Sequence, residues 1–439
     1  NEWMWSLGLL IILCGTGIYF TIRLKFIQVR KFGEGLRLVF GHFRMNGEKR
    51  EHGEMTPFQS LATAIAAQVG TGNLTGAATA LVSGGPGAIF WMWVSAFFGM
   101  ATAFGEAVLA QKFRRKVDGT ITGGPVYYIK AAFPGLGGRL LAVIFAFLVV
   151  FSMGFVGAMV QSNAIGESFQ AAFGIPPLYT GIAVALLCFV SFSGGIRRLA
   201  ALTGRLVPVM ALFYMLGSAF VLFRFRENLL PALSSIFVGA FAPQALAGGV
   251  VGVTAKKVMR LGLARGLFSH EAGVGSTPHA HAVARVEHPV QQGYVAMLGV
   301  FIDTFVILTL TALVILVTGV LTPDASLTGA ALTQAGFSSV LGKWGGPFIA
   351  LCIFFFAFSS LLGWYFFGAA NARYLFGKLG VAPYRLGVCL CVFLGALMDV
   401  GKMWELADLC CGLMALPNLA ALLALSGLSA SLLHEYRGK

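Results

Sequence analysis

Eleven mostly apolar stretches, each close to the length of a membrane crossing, divide the chain: 3–22, 57–82, 87–111, 140–165, 178–194, 205–223, 241–259, 292–319, 346–370, 384–401 and 412–433. About 20 apolar residues in helical form cover the hydrocarbon thickness of a bilayer, so the pattern predicts an all-α polytopic membrane protein. Two stretches are interrupted. The second carries Gly70, Gly72 and Gly76 with Thr71 and Asn73 among them, and the seventh carries Gly248, Gly249 and Gly252 between Pro243 and Thr254. Glycine disfavours a helix interior by about 1 kcal/mol relative to alanine. Gly72 and Gly76 alone read equally as a GxxxG pair for close helix packing or as a helix that unwinds in mid-membrane and bares its backbone.

The interval between the two breaks favours unwinding. The seventh span follows the second by five, an odd number, so the two cross in opposite directions. Glycine-broken helices at matching places in inverted halves point to a secondary transporter with its site where the repeats meet. The expected organisation has an extra N-terminal helix at 1–22 and a basic cytoplasmic loop at 23–56. A first repeat of five helices follows at 57–223, broken near 70–73, then a second at 241–433, broken near 248–252, and a tail at 434–439.

Composition agrees with a membrane protein: 57% of residues are hydrophobic and 11% charged, against roughly 25% charged in a soluble domain. The formal net charge of +14 is divided among loops rather than gathered on one surface, which argues against nucleic acid as a partner. With the N-terminus outside and the C-terminus cytoplasmic, 27 of the 31 Lys and Arg residues fall on the inner side, leaving Arg224, Arg226, Lys343 and Lys402 outside. The run 3–22 leads straight into Arg23 and Lys25, as in an anchor with a basic flank rather than a cleaved signal. All seven cysteines lie within apolar spans and lack zinc-type spacing. No cofactor is expected. No Ser/His pair or His-Glu-x-x-His run falls inside a span, so an enzyme is not expected either.

Polar residues inside the spans supply the candidate chemistry. A carboxylate at a helix centre costs about 2.5–3.5 kcal/mol on insertion scales, which singles out Glu106 and Asp303 as either bracing or gating and coupling groups. Ser359 and Ser360 sit in an aromatic setting, where hydroxyls back-bond to their own turn or supply oxygen to a hard cation. Gln161, Ser162 and Asn163 form a further polar cluster. Phe32, Leu36, Val39 and Phe40 share a helical face that suits the inner leaflet, although a solvated loop reads equally well. His270, His279, His281 and His288 have no zinc spacing and read as a solvated loop.

Four runs resemble the alanine/glycine:cation symporter family: Gly70-Thr71-Gly72-Asn73, the segment 84–93 beginning Gly-Gly-Pro, the segment 122–129 beginning Thr-Gly-Gly-Pro, and 268–276 around Ser269-His270-Glu271. Phe301-Ile302-Asp303-Thr304 and Leu362-Gly363-Trp364 fit as well. The resemblance covers nearly the whole chain. It implies a LeuT-type core of ten helices plus one, moving alanine or glycine with sodium. By that resemblance the amides around Thr71 and Gly72 receive the substrate carboxylate, and Asn73 lies between carboxylate and cation. Carbonyls near Ala66 and Val69, with Ser359 and Ser360, form a sodium site. Gln161 and Trp364 line a small pocket that Gly248 and Gly249 close. His270 stands where Asn is expected, Ser359 and Ser360 where Thr is common, and Ala369 where an acid is usual. The residues also leave open a channel and a proton-coupled symporter of another small neutral amino acid.

Overall fold

The computed structural model describes residues 7–41, 54–242, 254–321, 327–398 and 401–437. Helices α1 (Leu7–Arg23), α2 (Ile27–Arg30) and α3 (Phe32–Phe40) precede the first broken span. That span comprises α4 (Pro57–Gln68), a π-helical turn Gly72–Gly76 and α5 (Ala77–Gly84). Next come α6 (Gly87–Lys112), a hairpin of β1 (Arg115–Val117) and β2 (Thr120–Thr122), and α7 (Pro125–Ala132). Helices α8 (Leu136–Val149) and α9 (Gly157–Phe173) are joined through a π-helical segment Val150–Val156, then follow α10 (Pro177–Ser193) and α11 (Gly195–Arg224).

The second half opens with α12 (Leu229–Phe241), α13 (Ala255–His270) and the short α14 (Pro278–Ala282). Helices α15 (Pro289–Val300) and α16 (Thr309–Thr318) flank a third π-helical segment, Phe301–Leu308. The chain closes with α17 (Gly329–Leu341), α18 (Gly345–Phe376), α19 (Val381–Leu397), α20 (Gly401–Ala424) and α21 (Ser426–Arg437).

Among the described residues, seven helical runs are long and apolar enough to cross a membrane, and α1 and α10 are shorter apolar helices. The first broken span starts firmly: Thr56 caps α4 through a reciprocal capping box with Gln59, and Pro57 sits where a missing N–H costs nothing. The seventh stretch differs from its hydropathy placement at 241–259. Helix α12 ends at Phe241 and α13 begins at Ala255, within that window, and residues 243–253 lie outside those described. Helix α13 escapes a hydropathy scan because it carries Lys256, Lys257, Arg260 and Arg265. Gly248, Gly249 and Gly252 lie outside the described residues.

Three further features are local. The loop 23–56 contains α3, which docks on the bundle: Val39 is buried, and a Cβ at Gly35 would stand 2.8 Å from the Tyr294 carbonyl. Leu36 and Phe40 remain exposed. The tail expected at 434–439 is helical as far as Arg437. Among the described residues the mostly helical chain also holds one hairpin, whose two-residue turn places Asp118 (φ 47°) and Gly119 (φ 76°) in the left-handed region that such turns require. Arg373, near the end of α18, reaches Asp118 Oδ2 at 2.6 Å and the Val117 carbonyl at 3.2 Å, fastening the hairpin to that helix.

Candidate functional site: a broken helix facing α18

The helix breaks where glycine is densest. Val69 leaves helical geometry (φ −80°, ψ 83°) while its N–H still bonds the Ile65 carbonyl at 2.7 Å. The next amide, Gly70 N–H, turns away from the Ala66 carbonyl that a continuous helix would give it. It donates instead to the Gln68 carbonyl at 3.0 Å and to Asn73 Oδ1 at 3.1 Å. The Ala66 carbonyl is thereby released, and Ser359 Oγ of α18 approaches it at 3.3 Å. Ser359 and Ser360 also bond the Phe356 carbonyl, at 2.8 and 3.1 Å. Both serines thus back-bond within α18, and only Ser359 also faces the released carbonyl.

Gly70 has a steric reason as well. A Cβ there would fall 2.4 Å from Ser360 Oγ and 3.4 Å from Gln161 Nε2, so three elements converge on one backbone position. Gly72 and Gly76 are different. Among the described residues nothing lies within 4 Å of a Cβ built on either, so the GxxxG packing reading fails for them. Two buried acceptors beside the break, Thr71 Oγ1 and Gln161 Oε1, have no hydrogen-bond partner among the described residues. An unpaired buried polar atom costs about 1–3 kcal/mol, and such a cost is commonly offset by a ligand.

Asn73 joins the break to the second half. Its Nδ2 donates to Asp303 Oδ1 at 2.7 Å and to the Asp303 carbonyl at 3.2 Å. Asp303 Oδ2 also accepts from Ser269 Oγ at 3.0 Å and from Thr304 Oγ1 at 2.8 Å. Asp303 is therefore at the break. Glu106 is elsewhere. Its carboxylate accepts from Asn418 Nδ2 at 2.7 Å and from the Gly273 amide at 3.1 Å, bracing α6 against α20 and the loop after α13.

Trp364 stands one turn beyond Ser360 on α18. Its ring covers the backbone at Gly157, where a Cβ would lie 2.7 Å away, and its Nε1 donates to Glu271 Oε1 at 3.0 Å. Met153, Glu271 and Cys411 line the same cavity as Trp364. Glu271 was not among the residues singled out from sequence, although an acid between apolar Phe268 and Val274 was visible there.

The histidines correct the solvated-loop expectation. His270, His279 and His281 are all buried. The Ala272 amide donates to His270 Nδ1 at 3.2 Å, His279 ring nitrogens pair with the Ser276 carbonyl and Asn371, each at 2.8 Å, and His281 meets Gln292 at 2.7 Å. His270 is thus a packed helix-end residue and not a loop residue. Among the described residues no cluster of three His, Cys, Asp or Glu side chains suits a metal ion.

A bundle of membrane-length helices, with one interrupted beside unpaired polar atoms, defines a secondary transporter of the LeuT type rather than an enzyme. Solved structures share the fold at low sequence identity. They include MhsT in complex with L-phenylalanine (TM-score 0.59, 13% identity, covering 86% of this chain and 90% of that one) and a Na⁺-coupled sialic acid symporter (TM-score 0.54, 15% identity, 91% and 84%). The chain belongs to the sodium:alanine symporter family, which it matches over residues 1–439. Relatives include the sodium/alanine symporter AgcS of Methanococcus maripaludis, 41% identical over 98% of this chain and 94% of the relative. Another is the probable sodium/glutamine symporter GlnT of Bacillus subtilis, 40% identical over 99% and 89%.

Proposed function

We propose that the protein couples inward sodium flow to uptake of a small neutral amino acid, alanine or glycine, by alternating access. The observation that carries this reading is the released Ala66 carbonyl facing Ser359 across the break at Val69–Gly70. In this reading the Ala66 and Val69 carbonyls with the Ser359 and Ser360 hydroxyls bind sodium, a hard cation that takes oxygen ligands. The substrate carboxylate rests on the amides of Thr71 and Gly72, where the resumed helix presents free N–H groups and the positive end of its dipole. Among the described residues nothing lies within 4 Å of a Cβ built at Gly72, which leaves room for it. Asn73 stands between carboxylate and cation, while Gln161 and Trp364, with Gly248 and Gly249, bound the side-chain pocket. Two bound charges of opposite sign stabilise a state that neither stabilises alone, which is the basis of coupling.

Sodium-coupled amino-acid symport is also what the relatives' names describe, with alanine for AgcS and, as probable, glutamine for GlnT. The distribution of Lys and Arg among the loops supports an outside N-terminus and a cytoplasmic C-terminus across a cell membrane. The domain reading is two repeats of five helices behind an extra N-terminal helix. A second reading, coupling to protons, is favoured by one observation: the buried Asp303 carboxylate bonded to Asn73 at the break. Uptake of labelled alanine and glycine into proteoliposomes, with Na⁺ replaced by choline at fixed pH, separates the two. Loss of uptake in choline supports sodium coupling, and undiminished uptake sinks it.

A further inference from the structure

Arg385 carries a charge that the transport mechanism leaves unused. It lies four residues after Val381, the first residue of α19, and its guanidinium sits over the Phe189 ring of α10, with Cζ 5.4 Å from the ring centre. Phe189 in turn is four residues from Ser193, the last residue of α10. The two helices therefore hold the guanidinium about one turn, roughly 6 Å, inside their ends. Among the described residues Arg385 makes no hydrogen bond and no ion pair, and its Nε is the one Lys or Arg nitrogen buried without a partner. Neither α10 nor α19 contains an Asp or Glu. The ionisable side chains that feel its charge, Tyr365 and Cys389, carry none of their own at neutral pH. A guanidinium inside a membrane span calls for a counter-charge. The Phe189 ring attracts the cation but offers no acceptor to its N–H groups.

The surroundings choose the anion. Leu186 and Val190 of α10 are exposed, as are Leu386 and Leu390 of α19, and on membrane helices such side chains face acyl chains. A free anion from solution would have to shed its water to pass that apolar rim. A phospholipid instead brings its phosphate to this depth on chains that cover the rim. The geometry points to a phospholipid site at the seam of α10 and α19, where the terminal nitrogens of Arg385 donate as a pair to a phosphodiester. The headgroup is anionic, of the phosphatidylglycerol kind. A choline or ethanolamine head brings an ammonium, which finds no carboxylate on either helix, and the guanidinium already covers the Phe189 ring. In the orientation proposed above the leaflet is the cytoplasmic one, although the site itself does not depend on that orientation.

Purified full-length protein in detergent is titrated with phosphatidylglycerol and with phosphatidylcholine of the same chains, and bound lipids are counted by native mass spectrometry. The first phosphatidylglycerol should bind about tenfold more tightly than the first phosphatidylcholine. Arg385→Gln should bring the two affinities together. Arg385→Lys, which keeps the charge without the fork, should retain part of the preference. Arg37→Gln, the same loss of charge at an exposed position on α3, should leave it whole. An equal loss in Arg37→Gln would show diffuse attraction to a basic protein and overturns the site. Displacement of the lipid by inorganic phosphate overturns it too, because the anion would then be a soluble one. A photoreactive phosphatidylglycerol added to the unmodified protein should label α10 and α19. Labelling confined to other helices, or equal affinity for the two lipids, overturns the site without requiring any variant to fold.

Discussion

Asn73 spans two π-helical segments: its Nδ2 lies 2.7 Å from Asp303 Oδ1, while its Oδ1 accepts the Gly70 amide at 3.1 Å. One side chain thus holds open the end of the broken helix and neutralises part of a buried charge. Removing a hydrogen bond to a charged group costs about 1.5–3 kcal/mol. Asn73→Ala should weaken sodium-dependent alanine binding by at least about tenfold while the protein remains in the membrane. Asn73→Asp should be worse, because it sets a second carboxylate against Asp303. Equal losses in the two variants, measured by radioligand binding, would show that shape alone matters at Asn73.

Gly70 offers a paired test. A methyl group there would lie 2.4 Å from Ser360 Oγ, so Gly70→Ala should lower thermal stability and abolish uptake. Adding Ser360→Gly removes the obstructing hydroxyl and should restore much of the stability. Uptake should stay low, since one of the proposed sodium ligands has gone. Melting curves that fail to recover in the double variant would contradict the close approach.

Much of the fold was legible because a bilayer forces long apolar runs, and the break at Gly70–Asn73 was legible because glycine and polar side chains interrupt one of them. What stayed hidden depends on partners distant in sequence. His281 looks like loop chemistry until Gln292 and Ser60 are brought to it from other helices. Glu106 reads in sequence as either a brace or a gating acid, because its partner Asn418 lies far along the chain. Helix α13 was missed for another reason. Its lysines and arginines lower its hydropathy, yet Val258, Gly262 and Gly266 bury a face against its neighbours. A window average discards exactly that division between faces, and so it centred the span on the stretch between α12 and α13.

The hairpin pairing carries a pH dependence. The Arg373 guanidinium hydrogen-bonds Asp118 and holds its carboxyl below the ordinary value of 3.8. A depressed carboxyl contributes stability above its unfolded value and loses it as pH falls through the lower folded one. The hairpin should therefore stay fastened to α18 down to about pH 4 and loosen below it. Protection of amides 115–122, taken relative to their intrinsic exchange at each pH, should fall in acid, and Asp118→Asn should show low protection at every pH. Protection indifferent to both acid and substitution would refute the fastening.

Asn418 is the sharpest test of whether Glu106 braces or gates. Its Nδ2 donates to Glu106 Oε1 at 2.7 Å and to the Gly273 carbonyl at 2.9 Å, while its Oδ1 accepts from Tyr128 at 2.5 Å. The Gly273 amide completes the ring by donating to Glu106 Oε2 at 3.1 Å. Asn418→Leu deletes three of these bonds and leaves a buried carboxylate short of a donor, at a cost of several kcal/mol. Asn418→Asp replaces the donor with a second acceptor and should destabilise at least as much. Glu106→Gln should be milder, because the Gly273 amide keeps its acceptor. In all three the midpoint of thermal unfolding should fall, while the sodium concentration for half-maximal uptake in the surviving protein stays near that of the parent. If Glu106 instead gates, Glu106→Gln should shift that sodium concentration several-fold with little change in melting, and the bracing assignment would be lost.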